Sequence, residues 1–259
     1  MLGLSSAGLA AAHLSPESIA GWAAYVSTTE RRIGRELRSA HGFLAMDFDE
    51  NASEDRRAVL GGAVVVRKMT AADLRGGLMS VPSARVHHWR GEVLIPGVAV
   101  AQLVAQLKNG APPNQPDDVL QSRVIERGPD WMRVYLKLHR RRFVTVVYNT
   151  EHLVTFARHG ATRATSRSTA TKIAEVSDAD TPRERELPLG EDRGFLWHLN
   201  AYWRYEEVAG GVIAECESIS LSRDVPSVLR YLVDPLVEST ARESMERTLS
   251  SLKARHARS

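Results

Sequence analysis

The sequence predicts an α+β fold in which a curved antiparallel sheet wraps around a long C-terminal helix, with an additional helix at the N-terminal end. Three patterns carry this prediction. Between residues 119 and 223, apolar and polar side chains alternate with period two in about six runs, as half-buried strands require. The links between most of these runs are short, which makes neighbours antiparallel. At the C-terminal end Leu236, Val237, Thr240, Ala241, Ser244, Met245, Thr248, Leu249 and Leu252 recur at spacings of three and four, the stripe of an amphipathic helix.

The elements follow in order. Ser15-Pro16-Glu17 supplies an N-cap, a first-position proline and a first-turn acid. The helix it opens carries Ile19, Trp22, Val26, Thr29, Ile33 and Leu37 on its apolar stripe, with Glu30, Arg31, Arg35 and Glu36 on the wet side. Residues 41–60 read as a loop with a short acidic helical turn at 53–59. Strands are predicted over 61–69 and 85–96, the second ended by Pro96-Gly97. A short helix spans 98–108, and residues 109–114 are a turn-rich break. The strands of the meander are 119–127, 131–140, 143–158, 162–176, 195–208 and 212–223. Their turns are Gly128-Pro129-Asp130, Arg141-Arg142, His159-Gly160 and Ala209-Gly210, and residues 177–194 form a polar surface loop. Asp234 is the expected N-cap of the last helix and Pro235 its first residue. One face of such a sheet lies under the last helix and the other faces water.

Composition bounds the function. The 259 residues are 43% hydrophobic and 25% charged, ordinary for a globular chain. The net charge of +3 is spread over interspersed acids and bases, which argues against nucleic acid despite a pI of 9.2. Cys216 stands alone, so no internal disulfide forms. No apolar run reaches the roughly 20 residues of a membrane span, so no stable membrane insertion is expected. Residues 1–13, with Leu2, Leu4, Leu9 and Ala10 to Ala12, match either the end of a secretory signal peptide or a disordered tail. The first reading favours a periplasmic or secreted location over a cytoplasmic one. Residues 1–14 are set apart on this ground, and 15–259 are expected to form one domain.

The order of elements resembles the START-like, or SRPBCC, superfamily of helix-grip (Bet v 1-like) proteins, in particular a bacterial branch. The carriers are the run Trp89-Arg90-Gly91-Glu92-Val93-Leu94-Ile95-Pro96-Gly97 leading into a short helix, the meander, and the capped last helix. Tyr148-Asn149-Thr150-Glu151-His152, Tyr202-Trp203-Arg204-Tyr205-Glu206-Glu207 and the stretch 215–223 add to it. The resemblance implies a cavity between sheet and last helix that holds a lipid, sterol, polyketide or other apolar molecule. Most members bind or carry, and a minority are cyclases, dehydratases or hydrolases. No catalytic motif of those enzymes maps onto this chain.

Turn positions assign faces. A two-residue turn at Arg141-Arg142 sets Leu138 opposite Thr145, Val134 opposite Asn149 and Met132 opposite Glu151. Arg133, Lys137 and His139 prefer water, so Met132, Val134, Leu136 and Leu138 point inward and take Asn149 and Glu151 with them. A turn at His159-Gly160 puts Ser168 beside Glu151. A turn at Ala209-Gly210 sets Trp203 against Cys216, Tyr205 against Ala214 and Ala201 against Ser218, with Arg204 and Glu215 paired on the outer side. The expected ligand-binding set is therefore Met132, Val134, Leu136, Asn149, Glu151, Ser168, Trp203 and Tyr205, roofed by the small Thr240 and Ser244 of the last helix.

His87 and His88 point to opposite faces of one strand, and neither a zinc motif nor a phosphate loop is present, so no metal or cofactor is expected. Acids on both sides of Cys216 disfavour a thiolate. The reading that follows is binding or carriage of a hydrophobic small molecule. One alternative is a cyclase-, dehydratase- or hydrolase-type enzyme using Glu151 as acid/base; another is a structural domain without a ligand.

Overall fold

The computed structural model describes residues 14–72, 76–109, 118–141, 145–188, 190–224 and 227–256, with the backbone alone for 140, 141, 227–238 and 240. The leader-like residues 1–13, positions 110–114 of the turn-rich break, Arg142 and the Thr240 side chain lie outside that description.

Helix α1 (Pro16–Leu37) starts where expected, with the Ser15 hydroxyl accepting from the Ser18 amide at 3.1 Å. A 3₁₀ turn (Ala45–Phe48) and helix α2 (Ala52–Leu60) follow. Strands β1 (Val65–Lys68) and β2 (Ala84–Pro96) lead to helix α3 (Val100–Lys108). The meander is β3 (Val119–Arg127), β4 (Trp131–Arg141), β5 (Thr145–Arg158), β6 (Arg163–Ser177), β8 (His198–Val208) and β9 (Gly211–Arg223), with a two-residue strand β7 (Arg185–Glu186) pairing β6 inside the long polar loop. These strands make one antiparallel sheet in the order β1-β2-β9-β8-β6-β5-β4-β3.

The last helix, α4, runs over Ser227–His256, starting eight residues before the expected first residue Pro235. Leu229, Leu232 and Val233 extend the three–four spacing backward, and the helix continues through Pro235 at the loss of one backbone hydrogen bond. Two contacts of α4 define the shape of the sheet. Ser244 donates to Asp118 beside β3 at 3.1 Å, while Met245 and Leu249 lie over Gly91 in β2. One turn of helix thus touches both ends of the strand order, so the sheet curls around α4 and the α4 side is concave. Gly91 permits the approach: a Cβ there would lie 2.6 Å from Leu249 Cδ1 and 2.8 Å from Met245 Cγ. The concave core joins α3 and α4 to Val93, Ile95, Phe156, Tyr205 and Ala214.

The opposite, convex face is not wet where β1, β2, β9 and β8 form it. Helix α1, the 3₁₀ turn and α2 cover it, burying Trp22, Tyr25, Leu44, Met46 and Val59 against Ile213, Ile219 and Leu221. The buried side of α1 is also rotated from the apolar stripe. It holds Ser18, Trp22, Tyr25, Thr29 and Glu36, while Ile19 is half exposed. The cause is the polarity of the sheet beneath it, where Arg204, Glu215, Glu217 and His88 need partners.

Candidate functional site

Strand register decides which expected site residues meet. The β8–β9 hairpin has the two-residue turn at Ala209-Gly210, so Trp203 stands opposite Cys216, Tyr205 opposite Ala214 and Ala201 opposite Ser218. Tyr205, Ala214 and Cys216 join the concave core, and Trp203 and Ala201 pack against it. The β4–β5 hairpin differs from expectation. Arg141 pairs Thr145, leaving three residues between the strands, and Leu138 therefore faces Tyr148, Leu136 faces Thr150, Val134 faces His152 and Met132 faces Val154. The displacement is odd, so one strand's faces exchange.

Met132, Val134 and Leu136 keep their place on the concave side. Asn149 and Glu151 do not: they pair with Lys137 and Tyr135 on the convex side. There Glu151 accepts from Arg133 at 2.8 Å, and Asn149 accepts from the Tyr135 hydroxyl at 2.7 Å while donating to Glu186 at 3.0 Å. An acid/base role for Glu151 under α4 thereby loses its geometry. Ser168 stays concave but lies opposite Val154 rather than Glu151, because the β5–β6 connection is longer than the two-residue turn expected: Arg158 is the residue that pairs Ala164. Ser244 is spent on Asp118.

What replaces the expected Asn149–Glu151–Ser168 cluster is a chain through His152. Thr150 and His152 are buried on the concave side. The Thr150 hydroxyl donates to the Leu136 carbonyl at 3.1 Å, His152 Nε2 lies 3.0 Å from Thr150 Oγ1, and Ser168 Oγ lies 3.3 Å from His152 Nδ1. Burial brings His152 down to about 4, so the ring is neutral around pH 7. Deeper in the same face Ser166 and Tyr205 share a 3.1 Å hydroxyl contact. Around this polar line the walls are apolar and only partly covered: Met132, Leu136, Val154 and Trp203, the last stacked on Tyr205 with centroids 6.1 Å apart. The level through Ser168 crosses the sheet as Trp89, Ser218, Ala201, Ser168, Val154 and Met132. Bulk stands at its ends and small side chains at its middle. Sequence alternation carried the walls; the three-residue β4–β5 loop, which brings His152 and Thr150 inward, left no signal.

The convex side is ionic. Arg204 donates to Glu36 at 2.5 Å and to the Phe43 carbonyl at 2.9 Å, and lies 3.6 Å from Glu215, which accepts from the Ala45 and Met46 amides. The expected Arg204–Glu215 pair is present but buried rather than on a wet side. Glu36, expected on the wet side of α1, is part of it. His88 bridges Tyr25 at 2.9 Å and Glu217 at 2.7 Å, and Arg32 also pairs with Glu217. Burial acts to raise Glu217, but the His88 hydrogen bond and the Arg32 charge outweigh it and hold the carboxyl near about 2. Burial, reinforced by Glu217 and Glu215, raises the Cys216 thiol. A cleft of about 340 Å³ lies between α1 and β5, β6 and β8, but its Arg167, Glu30 and Tyr202 are bonded to one another. Among the described residues no group of acids, histidines and cysteine has metal-site geometry, and no helix is long and apolar enough to cross a membrane.

An antiparallel sheet curled around a C-terminal helix, with an apolar concave face, defines a helix-grip protein. Solved structures similar to it include STAR-related lipid transfer proteins and aromatase/cyclases. A STAR-related lipid transfer protein fragment from Xanthomonas axonopodis is 18% identical, covers 69% of this chain and 98% of its own, and superposes with a TM-score of 0.41. Human STARD10 is 12% identical over 79% of each chain, with a TM-score of 0.44. The Zhui aromatase/cyclase from a Streptomyces strain is 10% identical, over 68% of this chain and 94% of its own, with a TM-score of 0.40. No protein-family model matches the chain, and no curated protein matches it.

Proposed function

We propose that the chain binds a hydrophobic small molecule on the concave face, under α4. The observation that carries this is the company Ser168 keeps: a polar line from Thr150 through His152 ends there, amid partly covered apolar side chains of β4, β5 and β8. Ligand sites pair an apolar wall with a few placed polar groups in this manner. Met132, Val134, Leu136, Trp203 and Tyr205 supply the wall, and Ser168 meets the polar end.

Nile red, whose emission rises on leaving water, tests the reading. It is expected to bind the full chain saturably. Ala201→Phe puts a ring into the middle of the level through Ser168 and is expected to weaken binding at least about tenfold, the scale of a filled apolar subsite. Leu153→Ala, on the exposed convex side of β5, is expected to leave it unchanged. Equal binding by wild type and Ala201→Phe, with both folded by circular dichroism, would remove the concave face as the site.

A further inference from the structure

The polar line has a direction. Thr150 owns one hydroxyl proton, and it goes to the Leu136 carbonyl. Its oxygen therefore accepts from His152, whose Nε2 must carry the ring proton. Held neutral by burial, the ring has a bare Nδ1, and the Ser168 hydroxyl donates to it. Every donor along the line is committed within the protein, and the line terminates in the lone pairs of Ser168 Oγ, on a half-buried side chain. Among the described residues no lysine or arginine hydrogen-bonds to Thr150, His152 or Ser168.

We infer that the concave face selects apolar molecules whose polar end is a neutral hydrogen-bond donor, an alcohol, with Ser168 Oγ as its acceptor. This rests on the concave face being the binding site. An ether or ketone brings a second acceptor to an acceptor. A carboxylate or phosphate adds a charge that nothing along the line offsets, in a setting where an unpaired charge is costly.

Decan-1-ol, decyl methyl ether and decanoate share a chain and differ at the head. In displacement of Nile red from the full chain, decan-1-ol is expected to act at a roughly three- to tenfold lower concentration than the ether, the range one net hydrogen bond spans. Decanoate is expected to be weakest. Ser168→Ala should lower the affinity for the alcohol to that for the ether. His152→Leu frees the Ser168 proton to donate, and should raise the affinity for the ether toward that for the alcohol; it decides the matter if Ser168→Ala does not fold. Equal displacement by all three, tightest binding of decanoate, or an alcohol preference that survives Ser168→Ala overturns the inference and leaves apolar binding standing. If none of the three displaces bound Nile red, the inference is overturned while the binding reading stands; if Nile red itself does not bind, the binding reading falls and this inference with it.

Discussion

Glu92 and Glu215 stand directly opposite each other on β2 and β9, and each is almost fully buried. Burial first, and then the facing Glu215 charge, push Glu92 up to about 8 against the pull of Arg90. The folded protein therefore holds a proton that the unfolded chain, with a carboxyl near its ordinary 4.5, releases earlier. The stability Glu92 contributes is full below about 4.5 and is lost as pH rises through about 8. Glu217 acts in the other direction: its contribution is present above about 4.5 and fades as pH falls toward about 2. Glu92→Gln keeps the shape of the protonated acid and cannot ionise. It is expected to melt with wild type at pH 5 and above it at pH 8.5, by roughly 1–3 kcal/mol, the scale of a buried polar group left without compensation. Parallel melting curves at both pH values would show that Glu92 does not hold the proton. None of this was visible in the sequence, where Glu92 and Glu215 are two acids among many; only the β2–β9 pairing brings them together.

At the scale of elements, strand and helix positions were largely legible, because alternation and three–four spacing report burial on each element separately. The partner of a face is a different matter. Of the apolar stripe predicted for α1, Trp22 and Thr29 are buried and Val26 and Ile33 are half-buried against the same cluster, but Ile19 is half exposed and the helix also buries Ser18, Tyr25 and Glu36. Hydrophobic periodicity assumes an apolar partner, and α1 instead packs on a sheet face carrying Arg204, Glu215, Glu217 and His88. Arg204 joins three segments there: Glu36 of α1, the Phe43 carbonyl and Glu215 of β9. Arg204→Ala takes the shared cation from two buried carboxylates, leaving Glu36 with Arg32 and Glu215 with the Ala45 and Met46 amides, and is expected to cost about 1.5–3 kcal/mol in urea unfolding, the scale of hydrogen bonds to charged groups. Glu215 also holds the Ala45 and Met46 amides, so hydrogen exchange at those two positions is expected to speed up beyond the global change. An unfolding midpoint unchanged from wild type would mean that the ion pairs do not fasten α1 to the sheet.

The whole molecule is a sheet used on both sides, and the two sides were unequally readable. The β8–β9 face assignment held because Ala209-Gly210 is a turn with its own chemistry. The β4–β5 assignment failed because the arginine-rich link carries no such signal, and a change from two to three loop residues exchanges faces. Asn149 and Glu151 left the concave side for that reason, and Thr150 and His152 took their place. The resulting division has a consequence. Concave side chains meet α3 and α4, convex ones meet α1, α2 and the 3₁₀ turn, and the backbone of the sheet lies between. Glu92 points to one side and Ser168 to the other, with no shared hydrogen-bond partner. Perturbations without shared partners add to within about 0.3–0.5 kcal/mol. A ligand that binds only the folded chain stabilises it by about 2.7 kcal/mol at a hundredfold excess over its dissociation constant. Decan-1-ol should therefore raise the melting temperature of wild type and Glu92→Gln equally at pH 8.5, although the two start from different values. A decan-1-ol shift that vanished in Glu92→Gln would show that the ionic face and the apolar face communicate through the strands.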